Sequence, residues 1–205
     1  MTIFSSSSLA SLLLAGTVLL GGCATDNSKS LALYDLGPLT SVQAGAPAAS
    51  LPAISVAEVS APAWLDTQMM YYRLLYANDQ QPRPYAGSRW SMPPALLFGQ
   101  RLKARIAQAG GIALSASDGA TNVPLLRIEA DEFAQNFETV TQSTARIALR
   151  ASVFNGRTLM AQKTFIQQLP APSADAPGGA RALALASDAA ISDILVWLAG
   201  LPVKK

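Results

Sequence analysis

Cys23 is the only cysteine in a chain of 205 residues that contains no histidine. Its thiolate is the strongest nucleophile the sequence offers, but no imidazole exists to activate it or any serine. The chain therefore cannot assemble a Ser-His-Asp triad, a Cys-His pair, a zinc site built from Cys and His, or an internal disulfide. The nearest approach to an acid–base pair is Asp131-Glu132. Neighbours on a strand point to opposite faces, which argues against their sharing one substrate. A Gly-x-Ser-x-Gly elbow and a phosphate loop are both absent, so any ATP hydrolysis belongs to another polypeptide. These absences read as a protein that is not an enzyme and takes neither metal nor cofactor. The formal charge of +2, with no basic block, argues against electrostatic binding of nucleic acid.

The chemistry of Cys23 becomes specific from what precedes it. Leu9 to Leu20 form an apolar run too short to span a bilayer but of the length of a secretory signal core. Leu20, Gly21, Gly22 and Cys23 follow, and this series resembles the bacterial lipobox. That resemblance implies a diacylglycerol thioether on Cys23, cleavage before it, and a third chain (palmitate or similar) on the new amine. Several acyl chains, at roughly 0.8 kcal/mol per buried CH₂, hold a domain that has no spanning helix of its own. Met1 to Ser8 carry no Lys or Arg, so either the signal is weakly oriented or translation starts upstream. Ala24 stands after the cysteine in place of Asp. By resemblance to enterobacterial sorting rules, this implies the outer membrane, with the domain in the periplasm. The expected division is a signal peptide over 1–22, a lipidated tether over 23–30 and a domain over 31–205.

The elements that must build this domain follow from periodicity. Leu31 to Leu36 and Ile54 to Val59 alternate as strands, separated by a loop rich in Ala, Ser, Pro and Gly. Met69 to Tyr76 reads as an aromatic-rich strand. A turn-rich stretch through Pro82 and Pro84 and a short extended piece around Tyr85 follow it. Two prolines after Ser91 open a helix carrying Phe98, Leu102, Ile106 and Ala109 on its inner face, stopped by Gly110-Gly111. Arg101, Lys103 and Arg105 read as its solvated side. Ile112 to Ser115 is a short strand. Leu126, Ile128 and Ala130 alternate with Arg127, Glu129 and Asp131 on a half-exposed strand, and Ala145 to Val153 continue the period of two. Asn155-Gly156 predicts a type I′ hairpin returning through Thr158 to Gln167. Leu183, Ser187, Ala190, Ile191, Ile194 and Leu198 predict a final helix, and Asp188 and Asp193 within it make it a core helix and not a membrane span. The predicted class is α/β or α+β, a single domain with a mixed, largely antiparallel sheet and two main helices.

Taken in order, these pieces resemble the ABC-type transport auxiliary lipoprotein family. That family includes the paraquat-inducible outer-membrane lipoproteins that work beside MCE-domain (mammalian cell entry) proteins. The resemblance rests on Tyr34-Asp-Leu36 after the lipobox, Ile54 to Val59 leading into Ala61-Pro-Ala-Trp-Leu-Asp66, and Tyr72-Arg73 with Tyr76. It continues through Ser88-Arg-Trp90 and the two helix-opening prolines to Phe165 and Val196-Trp197-Leu198. It implies a three-layer α/β/α fold resembling the anticodon-binding-like domain at the amino terminus of the translocation protein TolB. It also implies a non-catalytic accessory role in envelope lipid transport, with an MCE-domain periplasmic protein and its inner-membrane ATPase and permease as partners. Rings formed by some relatives extend the expectation to a homo-oligomer. Two other readings stay open: a periplasmic lipoprotein that itself binds a lipid or apolar ligand, and a structural envelope lipoprotein.

Four residues stand out as candidate partner or lipid contacts. Trp64 combines apolar area with a polar N–H, and either docks a partner or anchors its own loop. Arg73, within the aromatic run, reads as an ion-pair partner or a head-group contact. Arg89 and Trp90 are adjacent, so they point to opposite faces, and Arg89 is expected to pair with a carboxylate.

Overall fold

The computed structural model describes residues 30–39 and 51–202. The expected lipobox residues Leu20, Gly21, Gly22 and Cys23 and the expected tether before Ser30 lie outside the described residues, as do residues 40–50. The elements in order are β1 (Ala32–Tyr34), β2 (Ile54–Val56), β3 (Met69–Leu74), β4 (Asn78–Trp90), α1 (Pro94–Gln108) and β5 (Ala113–Ser115). After a short 3-10 turn come β6 (Leu125–Phe137), β7 (Ser143–Asn155), β8 (Thr158–Pro170) and α2 (Ala176–Ala199).

β6 is the hub of one mixed sheet. One edge pairs antiparallel with β7 along its whole length, and β8 continues antiparallel beyond β7. The other edge is shared: Leu125 and Leu126 face β2, while Gln135 to Phe137 face β3, both parallel. β5 lies parallel outside β2; β4 lies antiparallel outside β3, and β1 parallel outside β4. The long ladders are antiparallel and the parallel ones short, so the mixed, largely antiparallel sheet with two main helices matches the predicted class. The described residues form two layers, helices over sheet; a third layer of the kind the resemblance implied is not among them. The face of β6 and β7 away from the helices is open to solvent around Glu129 and Arg150, which pair there.

Hydrophobic periodicity explains most of this. Leu126, Ile128 and Ala130 are buried while Arg127, Glu129 and Asp131 are exposed. The ladder then slips between Ala130 and Glu132, leaving Asp131 as an extra residue. This bulge reverses the phase of the strand, so that Phe133, Gln135 and Phe137 face the helices. Both helices place their predicted apolar stripes in the core: Phe98, Leu102 and Ile106 from α1, and Leu183, Ile191, Ile194 and Leu198 from α2. Each such side chain contributes about 1.5–3 kcal/mol of transfer free energy. α2 is long and apolar enough to cross a membrane, but it packs on β6, β7 and β8 as a core helix.

Three local expectations need correction. The stretch through Pro82 and Pro84 is part of the thirteen-residue strand β4. The prolines are tolerated because β1 pairs with β4 only at Ser88 to Trp90, and among the described residues no strand pairs with that edge beside them. The hairpin turn is Gly156-Arg157, since Asn155 pairs with Thr158; only Gly156 has positive φ, the pattern of a II′ turn and not I′. Finally, Arg101 and Arg105 do not belong to a solvated face, as the next subsection describes.

Candidate functional site

Trp64 sits in a tight turn after β2, where the amides of Leu65 and Asp66 both donate to the carbonyl of Pro62. It is half-buried and meets Tyr71 edge-on at 5.3 Å between ring centroids. The guanidinium carbon of Arg73 lies 5.7 Å from the indole centroid, and Nη1 of Arg73 donates to the backbone oxygen of Asp79 at 3.0 Å. The fold thus brings two of the sequence candidates together. Arg73 acts there as a cation over an aromatic face and a clasp between β3 and β4, and among the described residues no carboxylate pairs with it. Arg89 likewise has no carboxylate partner among the described residues. It donates to the carbonyls of Tyr85 and Ser88, closing the irregular part of β4. Trp90 is 0% exposed and packs edge-on against Phe133 at 5.6 Å, so it serves the core and presents no surface to a partner.

The carboxylates Asp131 and Glu132 were expected on opposite faces. Because Asp131 is the bulge residue, both line one shallow hollow with Asp79, Asn136 and Arg146, of about 370 Å³. Glu132 is committed within it: Arg146 donates to it at 2.7 Å and Asn136 Nδ2 at 3.2 Å. It is a strut between β6 and β7, not a base held ready for proton transfer. Among the described residues no cluster of three metal-ligating side chains occurs.

The strongest polar cluster joins the two helices. Arg101 of α1 donates from Nε and Nη2 to the two oxygens of Asp188 of α2, at 2.7 and 2.6 Å. Arg105, one turn along, donates to Asp188 Oδ1 at 3.2 Å. Nη1 of Arg101 reaches the carbonyl of Gly37 at 2.9 Å, tying in the loop after β1. Arg101 is only 8% exposed. Burial pushes the Asp188 carboxyl up, but the hydrogen bonds and charges of the two guanidiniums outweigh it and hold the group below its usual range. Sequence reasoning placed Arg101 outside. The available signal was its position three residues after Phe98 and four after Leu97, within the apolar stripe.

Above this lock lies a groove of about 660 Å³ between β1 with its following loop and the first half of α2. Leu33, Leu36, Pro177, Ala180, Ala184 and Leu185 supply apolar walls, with Asp35, Arg101, Arg181 and Asp188 as charged groups. Leu33 and Leu185 are 64% and 61% exposed. Arg181 influences Asp175 electrostatically but forms no ion pair among the described residues.

The model of a family described as ABC-type transport auxiliary lipoprotein component matches residues 34–194, from β1 into the last turns of α2. Among solved structures, a Xanthomonas campestris protein of family DUF330 superposes with a TM-score of 0.70 at 18% identity, covering 80% of this chain and 93% of that one. An uncharacterized protein gives 0.65 at 16% identity, over 82% and 99% of the two chains. A hypothetical protein from Chlamydia trachomatis gives 0.50 at 10% identity, over 73% and 97%. No curated protein matches the chain in sequence. At these identities the solved structures establish a shared fold, and the family assignment rests on the match that spans the domain from Tyr34 to Ile194. By that match, the chain belongs to the ABC-type transport auxiliary lipoprotein component family.

Proposed function

We propose that this chain is a non-catalytic accessory component of an MCE-type envelope lipid-transport system. It is anchored to the outer membrane by acyl chains on Cys23, with its domain in the periplasm. The observation that carries the reading is the family match over residues 34–194 on a domain that begins just after a lipobox. The disposition of the polar groups supports it. Glu132 and Asp188 both hold elements together, and the sequence has no histidine to act as base. Work on a substrate's bonds then falls to the inner-membrane ATPase and permease, and the lipoprotein receives the far end of the MCE conduit.

Two outcomes are expected. Labelled palmitate enters the wild-type chain in cells and does not enter Cys23→Ser, because serine lacks the nucleophilic sulfur. Affinity purification from detergent-solubilised envelopes recovers an MCE-domain protein at near-stoichiometric yield. Repeated recovery of unrelated envelope proteins alone would remove the transport reading while leaving the anchor intact.

A further inference from the structure

We propose that the groove between β1 and α2 takes one acyl chain of an anionic bilayer phospholipid. Its volume of about 660 Å³ falls in the roughly 300–1,000 Å³ range of small-molecule sites, and its walls are apolar. Leu33 and Leu185, on opposite walls, leave most of their surface in water, a cost that an occupying hydrocarbon chain removes. The groove also holds one exposed carboxylate, Asp35, whose Oδ1 accepts from the Gly37 amide; Arg181, in no ion pair among the described residues, is the cation left to meet a phosphodiester. Asp188 is held by both Arg101 and Arg105, so the floor presents no unpaired carboxylate to the ligand.

Position supplies the argument for a bilayer source and rests on the proposed anchor at Cys23. Ser30 is seven positions after Cys23 and two before Ala32, where the strand that lines the groove begins. Fully extended, the segment from Cys23 to Ser30 spans at most about 25 Å, which keeps the opening within reach of the leaflet that holds the anchor.

The test uses the full lipidated chain in vesicles containing phosphatidylglycerol with a photoreactive group at the end of one acyl chain. After illumination, adducts are expected on Leu33, Ala184 and Leu185. Leu185→Asp alters an exposed side chain and leaves the core untouched; it should cut labelling about tenfold, the loss expected when a leucine contact is replaced by a charge. Arg181→Glu should lower labelling by phosphatidylglycerol more than labelling by a phosphatidylethanolamine probe. Adducts scattered over the surface, or unchanged by Leu185→Asp, overturn the proposal. So do adducts that appear only when the photoreactive chain is the one attached to Cys23, or adducts bridging to a second copy. Vesicle flotation reads the anchor separately. If the protein does not float, dispersed short-chain phosphatidylglycerol offered to the Cys23→Ser chain still gives the groove adducts or refutes them.

Discussion

Replacing Asp188 with alanine is expected to lower the free energy of unfolding by about 3–5 kcal/mol, because it strands the Arg101 guanidinium in the interior without its counter-charge. Domains of this size commonly have about 5–15 kcal/mol in total, so the variant should sit near the edge of stability. Urea titration is the direct measurement: the midpoint should fall with little change in slope. A fall below about 1 kcal/mol, the range of exposed pairs, would falsify the description of this contact as a buried lock. The double variant Arg101→Met with Asp188→Leu should recover part of the loss, since two apolar side chains need no pairing. Acidity supplies an independent check. The folded-state pKa of Asp188 lies below the unfolded value of about 4, so its contribution is present above that value and disappears as pH falls through the lowered one. The gap between wild type and Asp188→Ala should therefore close on acidification. Because Arg101 also holds the Gly37 carbonyl, the loop that walls the groove should loosen with it.

The apolar positions of this fold were legible because burial imposes a period. Every inner-face residue named for α2 is buried, and β6 alternates as expected up to Ala130. What remained hidden depends on contacts distant in sequence or on geometry that a period cannot express. Arg101 and Asp188 lie 87 residues apart, and a charged residue on an otherwise apolar stripe gives no sign of its partner. The bulge at Asp131 leaves no composition signal, yet it decides which face every later residue of β6 occupies. Pro82 and Pro84 marked a turn by local chemistry, and the edge of β4 beside them, unpaired among the described residues, overrode that preference. Of the proposed contacts, Trp64 and Arg73 meet by folding, whereas Trp90 is core. An indole at the end of a strand looks the same in sequence whether it faces the helices or the solvent.

Gly179→Ala should destabilise the domain, although glycine to alanine inside a helix ordinarily stabilises by about 1 kcal/mol. The reason is a buried polar relay beneath the first turn of α2. Tyr85 donates from its hydroxyl to Gln135 Oε1 at 2.8 Å, and Gln135 Nε2 donates to Ser143 Oγ at 2.7 Å. Gln135 is 0% exposed, so its amide cannot turn to water if displaced. A β-carbon at Gly179 would stand 2.0 Å from Gln135 Oε1 and 2.6 Å from its Cδ. Either α2 lifts from the sheet, or Gln135 swings away and leaves the Tyr85 hydroxyl without its acceptor. The first costs about 1–3 kcal/mol as overpacking, and the second about 1–3 kcal/mol for an unsatisfied buried group. Set against the gain in helix propensity of about 1 kcal/mol, either cost leaves a net loss of up to about 2 kcal/mol. Gln135→Ala placed in the Gly179→Ala background removes the clashing amide, and the coupling measured in that cycle should be favourable. An additive cycle would show that α2 accommodates the methyl group elsewhere, and the close seating of Gly179 on Gln135 would then not be what fixes the height of the helix above the sheet.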